Sequence, residues 1–273
     1  MVNIETTRKS ATLYTGVMKF QLVGLNPDRE ELSDILGVDV ERDSVYTDTD
    51  REGNPRIRLD FWFKNDEYGV INNFPIWLID APVKKSSNGK TQYMGANGLS
   101  TYASSPEELM TEKFNKWIFP DRRDNYPDFR EAYVGEAELY QMLIALFKSD
   151  TRNQNNVIII DTPWSDIVGG DLSQLTANLR DNMYVQLLVA QKPRETDNGT
   201  KWNTTFYRKV ILSEGDSLRR LSNSLKKDEE SGYPFLDNYQ GGFEVQEFDP
   251  TTAVPQTTVE HVDSNTARKA LNI

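Results

Sequence analysis

The sequence predicts a mainly β fold with inserted helices (α+β). Three observations carry that expectation. Residues 56–64, Arg-Ile-Arg-Leu-Asp-Phe-Trp-Phe-Lys, alternate with the two-residue period of a strand, with Ile57, Leu59, Phe61 and Phe63 on one face and Arg56, Arg58, Asp60, Trp62 and Lys64 on the other. Strand-like stretches gather at 16–25, 56–94 and 183–213, with helical patterns between the groups. Strand and helix do not alternate regularly, which argues against a doubly wound sheet. Five or six antiparallel strands interrupted by helices suit a partly open antiparallel β-barrel of the OB type, enlarged by insertions.

In chain order, Gly16 to Leu25 alternates Val17, Lys19, Gln21 and Val23 against Met18, Phe20, Leu22 and Gly24, and reads as a strand. Asn26 as cap and Pro27 in the first turn open a short helix, which Gly37 closes after Leu36. Val38 to Pro55 is polar and rich in Asp, and reads as a loop before the strand at Arg56. Asn65 to Gly69 is a turn; Val70 to Asp80, apolar on both faces around Pro75, is a bent or edge strand. Ala81 to Gly89 is a basic turn and Lys90 to Met94 a short strand. Pro106 to Ile118 reads as a helix capped by Ser105, with Leu109, Met110, Phe114, Trp117 and Ile118 as its apolar stripe. A polar, aromatic loop runs from Phe119 to Arg130, and Gly135 to Phe147 has the clearest helical period in the chain. Val157 to Ile160 is a buried strand and Asp171 to Leu179 a modest helix. Met183 to Pro193 and Lys201 to Ser213 form a hairpin, with Asn203, Thr205, Tyr207, Lys209 and Ile211 sharing one face of its second arm. Ser217 to Lys227 is a further helix. Residues 1–240 are thus expected to form the OB-type domain with helical insertions, and residues 241–273, rich in Thr, Pro, Gln and acids, an acidic and weakly structured C-terminal tail.

With 273 residues, 37% of them hydrophobic, the chain has material for a sizeable core. No apolar run approaches the roughly 20 residues of a membrane helix, and Met1 to Arg8 lack the basic-then-apolar order of a secretory signal. A soluble protein is expected. There is no Cys, and the one His is His261, so thiolate sites and disulfides are impossible and histidine chemistry has little to work with. Neither a metal nor a cofactor is expected. The net charge is -11, but it is unevenly spread. Acids outnumber bases ten to five in residues 1–50 and nine to none from Asp228 to Asp263, whereas Ala81 to Pro106 hold no acid.

Catalytic motifs are weak. Gly89-Lys90-Thr91 has the look of a phosphate-loop ending, and Val157-Ile158-Ile159-Ile160-Asp161 that of a strand bearing a magnesium-holding carboxylate. Such a loop needs a glycine five positions before Gly89, where its backbone wraps the phosphates, and Lys84 stands there. A basic hairpin turn and a core strand are the better readings. Paired acids at Glu30/Glu31, Glu107/Glu108 and Glu229/Glu230 are adjacent on helices and diverge by roughly 100°. No Gly-x-Ser-x-Gly elbow or zinc-binding His pair exists. The expectation is a protein that binds rather than catalyses.

Four sets of cations and aromatics carry that expectation: Arg56, Arg58, Trp62 and Lys64; Lys84, Lys85, Lys90, Tyr93 and Tyr102; Arg122, Arg123 and Tyr126; and Tyr207, Arg208 and Lys209. Any one set is often just an exposed strand face whose long side chains cover apolar surface. Together they suit single-stranded nucleic acid, which needs cations to replace counterions and flat rings worth roughly 1–3 kcal/mol per stacked base. The acidic C-terminal segment reads either as a solubility device or as a tethered polyanion that competes with nucleic acid and recruits partners.

The strand from Met18 to Leu25 leading into Asn26-Pro27, the strand from Arg56 to Lys64, the helix from Tyr133-Val134-Gly135-Glu136 to Phe147 and the acidic end resemble, over about the first 240 residues, bacteriophage single-stranded DNA-binding proteins of the helix-destabilising type. The resemblance implies an OB-type core and non-catalytic, sequence-tolerant binding of single-stranded DNA in phage DNA replication and recombination, in the host cell cytoplasm. It also implies that replication proteins (polymerase, primase, helicase) dock on the C-terminal segment, with no membrane partner. The chain departs from metal-containing members in lacking cysteines for a structural zinc. The alternative is a virion structural or assembly protein whose acidic and aromatic surfaces serve protein–protein contacts.

Overall fold

A computed structural model describes residues 12–40, 46–95, 100–109, 129–149, 162–180, 182–197, 199–232, 235 and 243–250. The strands are β1 (Tyr14–Leu25), β2 (Tyr46–Thr49), β3 (Pro55–Asn65), β4 (Val70–Pro82), β5 (Thr91–Gly95), β6 (Ser100–Ala103), β7 (Phe129–Glu131), β8 (Tyr133–Val134), β9 (Tyr184–Thr196), β10 (Gly199–Phe206) and β11 (Gln246–Glu247). The helices are α1 (Arg29–Leu36), α2 (Pro106–Leu109), α3 (Glu136–Ser149), α4 (Trp164–Val168), α5 (Ser173–Asn178) and α6 (Arg219–Glu230).

The architecture is mainly β with a few helices, organised as a curled antiparallel half-barrel with the strand order β10-β9-β1-β3-β4-β8. Placing β9 beside β1, and β3 and β4 on its other side, is a Greek-key order. β1 is long enough to serve two partners. Its first half pairs with β9, from Gly16 opposite Val189 to Gln21 opposite Tyr184. Its second half pairs with β3, from Gln21 opposite Lys64 to Leu25 opposite Phe61, with a bulge between Leu22 and Gly24.

The alternation in β3 is realised as expected. Ile57, Leu59, Phe61 and Phe63 point inward with Met18, Phe20 and Leu22 of β1, Phe74, Ile76 and Leu78 of β4, and Val185, Leu187 and Val189 of β9. α3 closes the concave side with Leu139, Met142, Leu143 and Leu146. The outer strands approach one another without forming a ladder. Phe206 of β10 stacks on Phe74 of β4 with centroids 6.2 Å apart, and Asn72 Nδ2 donates to the Thr204 carbonyl at 2.9 Å. β5, β6 and β7 form a separate small sheet inserted between β4 and α3.

Several elements depart from the sequence expectation. The cap of α1 is Asp28 rather than Asn26: Asp28 Oδ1 accepts from Glu31 N while Glu31 Oε2 accepts from Asp28 N, a complete capping box. Asn26 is otherwise engaged, accepting from Asp60 N at 2.5 Å and donating to the Arg58 carbonyl at 3.2 Å, and so extends the β1–β3 pairing past the bulge. The stretch from Val38 to Pro55 contains β2, because the β-forming residues Tyr46, Thr47 and Thr49 find an edge to pair with on β3. The second hairpin arm ends at Phe206, so Tyr207, Lys209 and Ile211 do not continue a strand face. The expected loop from Phe119 to Arg130 ends in β7. Met110 to Ile118 of the expected helix and the expected strand Val157 to Ile160 lie outside the described residues.

The boundary at residue 240 also moves. β11 pairs with β1, Thr15 opposite Gln246, and Val17 N donates to the Phe243 carbonyl at 3.0 Å. Phe248 is buried against Trp202 of β10, ring centroids 4.7 Å apart. Residues 243–250 therefore belong to the folded body, and they carry Glu244, Glu247 and Asp249. Residues 251–273 hold only Glu260 and Asp263 against Arg268 and Lys269, so that stretch is not acidic.

Candidate functional site

The outward side chains of β3 meet three different fates along the strand. At one end Lys64 pairs with Asp66 at 3.2 Å. Trp62 is 3% exposed, packed with Leu32 and Val40 under α1, and its indole N–H has no partner among the described residues. In the middle, Arg58 Nε donates to Asp60 Oδ1 at 2.9 Å, and the same oxygen accepts from Asn73 Nδ2 at 2.8 Å. Burial pushes the Asp60 carboxyl up, with the Arg58 charge opposing. At the far end Arg56 forks onto Asp48 of β2, Nη2 to Oδ2 at 2.7 Å and Nε to Oδ1.

Beside these pairs stands an aromatic cluster that sequence reading did not find. Tyr46 of β2 and Trp77 of β4 both lie opposite Arg58 in the register, one on each side of β3. Their rings meet edge to face at 5.4 Å, and the Arg56 guanidinium lies over Trp77, 4.6 Å from its centroid. Tyr46 is 46% exposed, and Trp77 is half-buried. The Tyr46 hydroxyl donates to Asp48 Oδ2 at 2.8 Å, so one carboxylate ties the phenol to the guanidinium. These bonds, the Arg56 fork foremost, lower the Asp48 carboxyl to about 2, while the bond to Asp48 raises the Tyr46 phenol. The sequence held two weak signals for the cluster: Tyr-Thr-x-Thr at 46–49 is β-forming, and Trp77 falls on the outer face if β4 is paired with β3 in hairpin register.

Of the sequence-derived site residues, Arg56 and Arg58 share this outer face, and Lys64 lies farther along it. Trp62 is removed from a stacking role by the helix above it. Tyr93 is also removed: it is 6% exposed and packs with Ala103, Leu109 and Phe129. Tyr207 is buried beneath α6, bonded to Ser224 at 2.7 Å and Asp228 at 2.9 Å, and burial raises its phenol to about 12. Lys209 donates to the same Asp228 at 2.5 Å, so this pair is a structural anchor for α6. Tyr102 remains exposed on the small sheet. Lys84 is exposed and paired with Glu52 of the β2–β3 turn, which brings the basic turn beside that hairpin. Lys85 and Lys90 have no carboxylate partner among the described residues. The Gly89-Lys90 stretch is a turn, Gly89 N donating to the Ser86 carbonyl at 2.8 Å. Arg122, Arg123 and Tyr126 lie outside the described residues.

Among the described residues no group of three or more His, Cys, Asp or Glu could hold a metal ion, and no helix is long and apolar enough to cross a membrane. No family model, curated protein or solved structure matches the chain.

Proposed function

We propose that the chain binds single-stranded DNA without catalysis, in phage replication or recombination in the host cytoplasm, on an OB-type barrel. The observation that carries the reading is the Tyr46–Trp77–Arg56 cluster, flat and partly open, on the outer face of the second and third long strands in chain order, β3 and β4. OB barrels use that face and the loops beside it for oligonucleotides. The barrel assignment is supported by the five long strands β1, β3, β4, β9 and β10, by their Greek-key order and by the approach of β10 to β4 through Asn72 and Phe74.

The neutralised arginines change what binding should look like. Among the described residues of the predicted site, Lys85 and Lys90 rather than β3 supply cations without a carboxylate partner, so phosphate contacts are few. Tryptophan fluorescence should be quenched by oligo-dT, and the affinity should fall only about as the -1 to -2 power of salt concentration. Trp77→Ala should weaken binding by about 1–3 kcal/mol while the fold persists. Wild-type protein that shows no quenching at low salt sinks the reading.

A second reading, protein–protein contact in a virion or its assembly, is favoured by one observation. Every cation on the outer face of β3 already has a carboxylate partner. Ordered self-assembly without oligonucleotide binding would select it.

A further inference from the structure

Asp48 is neither cation nor aromatic, yet it organises the cluster. Its carboxylate accepts from Arg56 Nε, from Arg56 Nη2 at 2.7 Å and from the Tyr46 hydroxyl at 2.8 Å. A two-pronged carboxylate lies in the plane of the guanidinium it holds, so it sets the orientation of that plane as well as its position. The Arg56 guanidinium carbon lies over the Trp77 ring, and its Nε–Nη2 edge is taken by Asp48. About a third of the side chain, 31%, remains exposed. The pair carries no net charge. Asp48 takes two of the five guanidinium N–H groups and cancels the charge, so a phosphate at the remaining N–H groups gains little Coulomb attraction, which makes this a poor phosphate site. A flat ring needs only the open face, and nucleobases stack on guanidinium planes as they do on aromatic rings. Arg58 is also held by a carboxylate, Asp60, so it does not supply the missing charge.

We infer that Arg56 offers its open face to a nucleobase as the outer layer of a Trp77–Arg56 stack, with Asp48 as the residue that positions it. The inference rests on the nucleic-acid reading and adds to it that the site takes hold of bases rather than of the phosphodiester backbone. Removing Asp48 frees Arg56 to swing off Trp77 and act as an ordinary phosphate-binding cation.

The test compares oligo-dT with an abasic chain of the same length, at about 50 and 200 mM salt, for wild type, Asp48→Ala, Asp48→Asn and Arg56→Lys. Wild type should bind oligo-dT at least about fivefold more tightly than the abasic chain, the low end of one stacked base. Asp48→Ala should shrink that ratio toward one and steepen the salt slope by about 0.7, the value of one added phosphate contact on a single strand. Asp48→Asn keeps an acceptor oxygen and should recover part of the ratio. Arg56→Lys keeps the charge and loses the plane, so oligo-dT affinity should drop while abasic binding persists. An unchanged ratio and slope in Asp48→Ala, or unchanged oligo-dT binding in Arg56→Lys, overturns the inference. Wild type that binds neither chain overturns the nucleic-acid reading instead. Thermal melting of each variant identifies any that fail to fold, and Arg56→Lys then decides the matter without Asp48→Ala.

Discussion

The Asp48 carboxylate takes three hydrogen bonds on a surface open to water, and its proton affinity reports whether they persist in solution. Its folded value of about 2 lies below the ordinary 3.8, so the charged form is favoured by folding. A depressed value means that the pair contributes stability above the ordinary value and loses it as pH falls through about 2. Carboxyl-carbon NMR should therefore show Asp48 titrating near pH 2, and a midpoint near 4 would mean that the Arg56 fork does not hold. The alternation of residues 56–64 was sufficient to place Arg56 and Arg58 outward. It could not reveal Asp48, eight residues before Arg56, because nothing local links a carboxylate to a strand that pairs beside it. Trp62 marks the opposite failure. Its parity put it on the outer face of the half-barrel, and so it is, but α1 lies on top of it.

At the scale of elements, the local signals were strongest where the chain satisfies itself. α1 and α3 carry their own periodicity, and the β9–β10 hairpin has its own turn. Edges were less legible. β4 turns one side to β3, and among the described residues its other side pairs only with β8, at Ile79 and Pro82. Asn72 accepts from Asn73 N at 2.9 Å, Pro75 has no N–H to leave unpaired, and Trp164 Nε1 donates to the Ile79 carbonyl at 3.1 Å. These devices blunt an edge that would otherwise invite another strand. Gly135 completes them. It has φ 84°, and a Cβ there would lie 2.0 Å from the Trp77 carbonyl oxygen. Gly135→Ala should destabilise the protein by about 3 kcal/mol or more, since backbone must move and the left-handed conformation is strained as well. Chemical denaturation checks this, and a loss under about 1 kcal/mol would show that β4 and α3 are not so closely pressed.

Across the whole molecule, the C-terminal strap ties the two ends of the described chain together. Gly16 permits it: a Cβ at that position would fall 2.6 Å from the Glu244 carbonyl oxygen. Chains ending after residue 250 and after residue 242 should therefore differ sharply. The shorter one loses Phe243, Phe248 and β11, exposing Trp202 and leaving Val17 N without its acceptor. Two lost aromatic anchors are worth about 3–5 kcal/mol, so its melting temperature should lie about 6–15 °C below that of the longer chain. Equal melting temperatures would show that the strap adds nothing. Period-two alternation alone settled that β1, β3 and the β9–β10 pair are strands and which of their side chains make the core, because that pattern is local and its burial is one-sided. The tertiary structure decided the site: pairing of β2 and β4 on β3 brings Tyr46 and Trp77 together over it and Asp48 onto Arg56, while packing under α6 and within the small sheet buries Tyr207 and Tyr93. Alternation within one strand does not say which strand lies beside it, and only the pairing of β2 and β4 with β3 brings the members of the cluster within reach of one another.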